Sequence, residues 1–185
     1  MATALTVNEA AALLELDEKR VRKELEYGFF GPATPPRLDL PALVYFRVVR
    51  QLGVQLGVED RRKLCRLIAD AFAHNAVPSK VQLSLVLEVR LDQVTEEISQ
   101  RLRRFEGWKS RLVVDQKVLG GEPVFPGRRL AVRHVGGMLL RGTPIEEVRE
   151  DYPYLTDQDI EYAKLFTAAY PRVGRPRTGE TAAGC

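Results

Sequence analysis

Apolar and polar positions follow a helical repeat over most of the chain, and the ends of the first two helices are well marked. Thr6 and Glu9 have the spacing of a capping box, which predicts a helix over 7–14. Asp17 offers a second N-cap and predicts a helix over 18–27. Two short helices joined by a tight link are typical of a helix-turn-helix.

Two further helices are expected after a break in the pattern. The prolines at 35 and 36 cannot continue a helix, so 29–38 is predicted to form a turn or a wing-like excursion. Asp39 then caps an apolar helix over 40–53, and another amphipathic pattern covers 59–75.

One stretch departs from the helical repeat. Every odd-numbered position from 81 to 91 is apolar, and this period of two predicts a strand. A lone strand leaves backbone groups unpaired, so it needs a partner. The partner is either the segment 111–115, reached across a helix over 93–107, or the same strand of a second subunit. The second possibility predicts a homodimer.

The C-terminal part begins with a loop and continues as three short helices. Turn residues crowd the stretch 120–127, and a helical pattern then runs over 131–142. Thr143 is predicted to cap the next helix in a capping box with Pro144 at its first position. Thr156 begins the last helix in the same way.

These elements predict a mainly α (α+β) fold in four parts. A helix-turn-helix domain covers 1–77, and a strand-helix connector over 78–110 is expected to serve dimerisation. A small helical, helix-turn-helix-like module covers 111–171. The tail 172–185, rich in proline, glycine and small residues, is expected to be disordered when free, or to be a mere terminus.

The sequence lacks the residue patterns of most catalytic and metal-binding sites, which limits the functions to be considered. The only histidines are His74 and His134, with no neighbour at zinc-ligand spacing, and no glycine-rich phosphate loop is present. The sequence therefore predicts no enzyme, no cofactor and no metal. Cys65 and Cys185 are too far apart to suggest a disulfide framework, and no signal or membrane-spanning segment is visible. A cytoplasmic protein is expected.

The basic residues are concentrated where a helix-turn-helix contacts DNA. The net charge of +3 is modest, but the first half of the second helix carries Lys19, Arg20, Arg22 and Lys23. The start of this helix enters the major groove in such motifs. A plain solvated face, diluted by three glutamates, is the alternative. The stretch LTVNEAAALLELDEKRVRKELEYG also resembles the DNA-binding end of MerR-type and excisionase-type regulators.

The C-terminal module carries a second resemblance. A Gly-Gly-x-Pro loop, a Pro-Gly-x-Arg turn, a helix ending in Gly-Thr-Pro and a Tyr-Pro-x-Leu-Thr-x-x-Asp-Ile helix start follow one another in order. Together they resemble the VapB-like antitoxin family, domain-of-unknown-function family 433. One departure is that Arg128 stands where the family usually has threonine. The resemblance implies an antitoxin that neutralises a PIN-like ribonuclease toxin and represses its own operon.

The charges of the module modify what the resemblance implies. Its last two helices begin with carboxylates, which would repel phosphates, so contact with double-stranded operator DNA is assigned to the N-terminal motif. The module is assigned to dimerisation and toxin docking, and the tail arginines Arg172, Arg175 and Arg177 are expected to face the acidic nuclease site. The sequence therefore predicts a type II antitoxin and autorepressor; the alternative is a MerR-like regulator without a toxin.

Overall fold

The computed structural model describes residues 4–31, 35–53, 55–73, 79–85 and 87–171. Within them the chain forms eight α-helices and one two-stranded sheet, which confirms the mainly α class. The N-terminal half contains α1 (Val7–Leu14), α2 (Glu18–Glu26), α3 (Leu40–Gln51) and α4 (Val58–Ala73). The remainder contains β1 (Lys80–Gln82), β2 (Glu88–Arg90), α5 (Asp92–Lys109), α6 (Val132–Leu140), α7 (Ile145–Asp151) and α8 (Asp157–Ala169).

Helix starts follow the capping residues of the sequence. Thr6 and Glu9 form both hydrogen bonds of the capping box of α1, and Thr156 and Asp159 form both bonds of the box of α8. Asp17 caps α2 by accepting from the Lys19 amide at 2.7 Å. Because these bonds join residues close in sequence, the pattern alone predicted them.

The capping box predicted at Thr143 is wrong. The N-cap of α7 is Pro144, and no side-chain hydrogen bond caps this helix. The Thr143 amide instead donates to the Met138 carbonyl at 3.1 Å, and Gly142 has a φ of +93°. Thr143 therefore completes the end of α6 in a Schellman-type turn, which leaves it unable to begin the next helix.

The long strand predicted over 81–91 is also wrong. The chain turns back on itself, and β1 pairs with β2 in an antiparallel hairpin in which Val81 faces Val89. Within the chain the pairing predicted with 111–115 does not form. The segment 111–115 instead contributes Val113, which forms an isolated bridge with Val124.

Each half of the chain contributes an aromatic cluster to one continuous core. Phe29 and Phe30 pack against Tyr45 at the N-terminal end. In the C-terminal part the buried Trp108 ring contacts Phe125, Tyr162 and Phe166, and its Nε1 donates to Asp159 at 2.8 Å.

The C-terminal helix joins the two halves. α8 packs along α6 and also against α1, the first helix of the predicted helix-turn-helix. The buried Ala10, Leu13 and Leu14 of α1 belong to the same apolar cluster as Ala163 and Phe166 of α8. The sequence offered no sign of this contact, because residues far apart in the chain form it.

Candidate nucleic-acid interface

The predicted DNA-contacting residues lie together on the outer surface of α2. Lys19, Arg20, Arg22 and Lys23 are all exposed, whereas Val21 is fully buried. Arg22 forms an ion pair with Glu18 one turn earlier, at 2.5 Å. Among the described residues no ion pair forms with the other three cations, so three positive charges on this face remain available to a partner.

The turn between α1 and α2 fixes where that face begins. Glu15 ends α1 with a φ of +53°, and the Leu16 amide donates to the Ala11 carbonyl at 2.8 Å. The next residue, Asp17, is already the N-cap of α2. This link is as short as a helix-turn-helix requires.

Glu24 has a different role from the one expected. The sequence suggested that it dilutes the positive charge of α2, but its side chain is only 8% exposed and points into the protein. Its carboxylate accepts a hydrogen bond from the Tyr45 hydroxyl at 2.9 Å and forms an ion pair with Arg61. Burial, and then the charge of Glu24, raise the pKa of Tyr45 well above its usual value, so its hydroxyl remains a donor.

This cluster, Glu24 with Tyr45 and Arg61, fastens α2 to α3 and α4. The Arg61 guanidinium also lies over the Tyr27 ring at 4.8 Å, just past the end of α2. A buried carboxylate without such partners would be costly, so the three side chains hold α2 in one orientation. A signal was present in the sequence: Glu24 is three residues after the buried Val21 and therefore shares its face.

The first half of α4 carries four basic residues, most of which have partners within the chain: Arg61, Arg62, Lys63 and Arg66. Arg62 pairs with Glu59 at 2.5 Å, and Lys63 donates to the Leu83 carbonyl at 2.7 Å. Arg66 is exposed and forms no ion pair among the described residues; Lys63 is exposed as well, but its ammonium group is bound by that carbonyl. Among the described residues, α2 therefore presents more cations without a partner in the chain than α4 does.

Glu9 forms the corresponding anchor for α1. Its carboxylate accepts from the Tyr170 hydroxyl, while Lys109 approaches both Glu9, at 3.9 Å, and Tyr170, at 3.1 Å. This places the first helix of the motif in direct contact with the end of α5 and the residue that follows α8. The sequence gave no signal for this link, because the residues around Glu9 mark it only as part of a capping box.

The two aspartates in the first turn of α8 both accept hydrogen bonds from side chains of the same chain. Asp157 accepts two hydrogen bonds from Arg149, the shorter at 2.8 Å, and Asp159 accepts from Trp108 and Thr156. Arg128 covers the Tyr154 ring at 4.4 Å. Arg133 is half-buried and donates to the Tyr170 carbonyl.

Metal-binding and membrane-spanning features are absent from the part of the chain that the structure describes. Within it no group of histidine, cysteine or acidic residues is arranged to hold a metal ion, and no helix is long and apolar enough to cross a bilayer. Cys65 is buried, as expected of a core residue, and burial raises the pKa of its thiol to about 11. The tail arginines Arg172, Arg175 and Arg177 lie outside the described residues, as does His74.

Comparison with known proteins gives one match. A family described as "Protein of unknown function (DUF433)" matches residues 112–167, the stretch from the end of α5 to α8. No curated protein and no solved structure matches the chain significantly.

Proposed function

We propose that this protein is a DNA-binding autorepressor that also serves as the antitoxin of a PIN-like ribonuclease. The observation that carries the DNA-binding part is the outer face of α2, where Lys19, Arg20 and Lys23 are exposed and free of ion pairs among the described residues. The buried anchor at Glu24 gives this face a fixed orientation. Lysine and arginine side chains presented on a rigid helix neutralise phosphates and release counterions.

Replacing Lys19, Arg20 and Lys23 together by alanine tests the DNA-binding part. We expect weaker binding to the DNA upstream of the protein's own reading frame. The logarithmic salt dependence should become shallower by about 0.9 for each phosphate that is no longer neutralised. The measurement is a salt titration followed by fluorescence anisotropy.

A matched variant controls for the removal of charge alone. Arg66, Arg104 and Arg141 are exposed on α4, on α5 and just after α6, and their replacement by alanine removes the same total charge. This control should change the salt dependence far less than the α2 variant. Equal effects of the two triple variants would contradict a specific role for α2.

The antitoxin part rests on the resemblance of the C-terminal module to VapB-like antitoxins; the family that matches residues 112–167 is itself described as of unknown function. A folded module supplies docking surface, while the arginines of the tail are proposed to pair with carboxylates of the nuclease site. Ordering a flexible tail costs about 1–2 kcal/mol per residue, so the tail alone would not hold the partner.

Truncation after Pro171 separates these two roles. When the protein is expressed with the nuclease of the adjacent reading frame, the truncated form should still form the complex but inhibit RNA cleavage less. Equal inhibition by both forms would remove the tail from the mechanism. If the full chain binds DNA but captures no nuclease, the protein is a regulator without a toxin, which is the alternative.

A further inference from the structure

A groove of about 720 Å³ opens where α1 meets the last three helices. Its floor and walls are largely apolar, with side chains from the end of α1 and from α6, α7 and α8: Leu16, Leu139, Leu140, Ile145, Ile160 and Leu165. Leu140 and Ile145 are 49% and 46% exposed, so apolar surface remains in contact with water within the groove.

Three positive and three negative side chains line the groove, and four of the six form two ion pairs; the other two are Glu161 and Lys164 on α8. Arg149 pairs with Asp157 at 2.8 Å, and Arg101 pairs with Glu15 at 2.6 Å. The charges of the groove therefore sum to zero, and the lining favours neither an anion nor a cation overall. An uncharged apolar group can contact the apolar surface without losing its own hydration energy, so the groove favours an apolar side chain as its occupant.

The same chain presents a matching convex feature elsewhere. Leu85 stands at the tip of the hairpin, midway between the paired strands, and is 102% exposed. The base of the hairpin is fixed, because Leu83 is buried and its carbonyl accepts from Lys63. An anchored hairpin thus holds one leucine wholly in water, where burial against another apolar surface would be favourable.

We propose that the groove receives the hairpin tip of a second copy of this chain, with Leu85 of each subunit in the groove of the other. Two concave grooves cannot fill one another, so two copies would have to join tip to groove. Within one chain Leu85 is surrounded by solvent, so the contact must form between chains. Reciprocal insertion gives a closed two-fold dimer with two identical contacts.

Light scattering of the full chain at micromolar concentration tests the proposal. We expect a dimer for the wild type. Leu85→Asp and Leu140→Asp each place a charge in both contacts, and each should weaken the dimer at least about 100-fold. Leu119→Asp changes another exposed leucine, outside the groove, and should leave the dimer intact. Circular dichroism melting verifies that every variant is folded, and Ile145→Asp replaces Leu140→Asp if the latter is not.

Mixing the two variants distinguishes tip-to-groove contact from any other interface. The Leu85→Asp chain keeps an intact groove, and the Leu140→Asp chain keeps an intact tip. A mixed pair therefore has one of the two contacts, and we expect dimer to reappear on mixing, with an affinity between those of the wild type and the single variants. A monomeric wild type, a dimer that survives either variant, or no dimer on mixing would each overturn the proposal. Occupation of the groove by another protein or a small apolar molecule would give the first or second of these results.

Discussion

Gly136 lies at the point where α6 crosses α8, and the space beside its Cα is already filled. A Cβ atom there would come within 2.8 Å of the Ala163 carbonyl carbon and would overlap its oxygen and the Thr167 hydroxyl. That hydroxyl also donates to the Ala163 carbonyl at 2.8 Å. The backbone of α8 cannot move aside cheaply, so the contact depends on the absence of a side chain at this position.

Gly136→Ala is therefore expected to lower the free energy of unfolding by about 1–3 kcal/mol, the usual cost of overpacking. Gly137→Ala is the matched control, because its Cβ would meet only the flexible end of Arg141, at 3.2 Å. Alanine is the better helix former by about 1 kcal/mol, so the control should be neutral or stabilising. Urea denaturation measures both; equal stabilities would mean that the helices are not held this closely.

The Glu9 carboxylate should make stability depend on pH. Burial on its own would raise its pKa, but hydrogen bonds from Tyr170 and Thr6, and then the charge of Lys109, lower it below the usual 4.5. Because the folded-state pKa is the lower one, this stabilisation is complete above the unfolded-state pKa. It disappears as the pH falls through the folded-state value.

Glu9→Gln should flatten the decline of the unfolding free energy below about pH 5. The exposed Glu26→Gln serves as control and should leave the slope unchanged. Thermal melts between about pH 3 and 6 provide the comparison. Parallel curves for wild type and Glu9→Gln would show that the carboxylate does not contribute in this way.

Among the helices, α2 is held in place by side chains of α3 and α4, Tyr45 and Arg61, which bind its buried Glu24. Tyr45→Phe removes the hydroxyl donated to the buried Glu24 carboxylate. We expect stability to fall by about 1–3 kcal/mol, because the carboxylate stays buried with one hydrogen-bond donor fewer. DNA binding should also become weaker, because α2 is held less rigidly. Tyr154→Phe changes a half-exposed ring and should alter neither the stability nor the DNA binding. An unchanged melting temperature of Tyr45→Phe would contradict the anchoring role.

The hairpin shows why some elements could not be predicted. Facing residues are 81 with 89 and 82 with 88, so odd positions pair with odd positions around Leu85. A strand folded back at Leu85 therefore has the same alternation as one uninterrupted strand. Helix starts at Thr6, Asp17 and Thr156 were predicted because a few neighbouring residues determine them.

The candidate site shows the same difference between features set by neighbouring residues and features set by distant ones. The exposed cations of α2 were identified from local pattern, since a helix repeat and a cap decide which residues face outward. The spacing from Val21 indicated that Glu24 faces inward, but the partners of Glu24 and Glu9 could not be predicted, because Tyr45 and Tyr170 lie 21 and 161 positions away. A charged residue therefore contributes to the surface only if no residue from a distant part of the chain packs over it.

For the protein as a whole, the first helix of the predicted helix-turn-helix depends on packing against the C-terminal helix. A fragment of residues 1–110 would lack α8 and leave the apolar face of α1 uncovered. We expect this fragment to melt with little cooperativity, to bind an apolar dye and to bind DNA more weakly than the full chain. A fragment that melts sharply and binds DNA as tightly as the full chain would show that 1–77 folds independently, as the sequence suggested.

The contact between α1 and α8 also has a consequence for synthesis on the ribosome. Glu9 and its partner Tyr170 are 161 positions apart, so at roughly 5–20 residues per second about 8–30 s separate their production. During that interval the apolar face of α1 lacks α8, its packing partner in the folded protein. A nascent or prematurely ended chain would therefore present an unfinished motif, and the proposed repression would begin only once translation had reached the last helix.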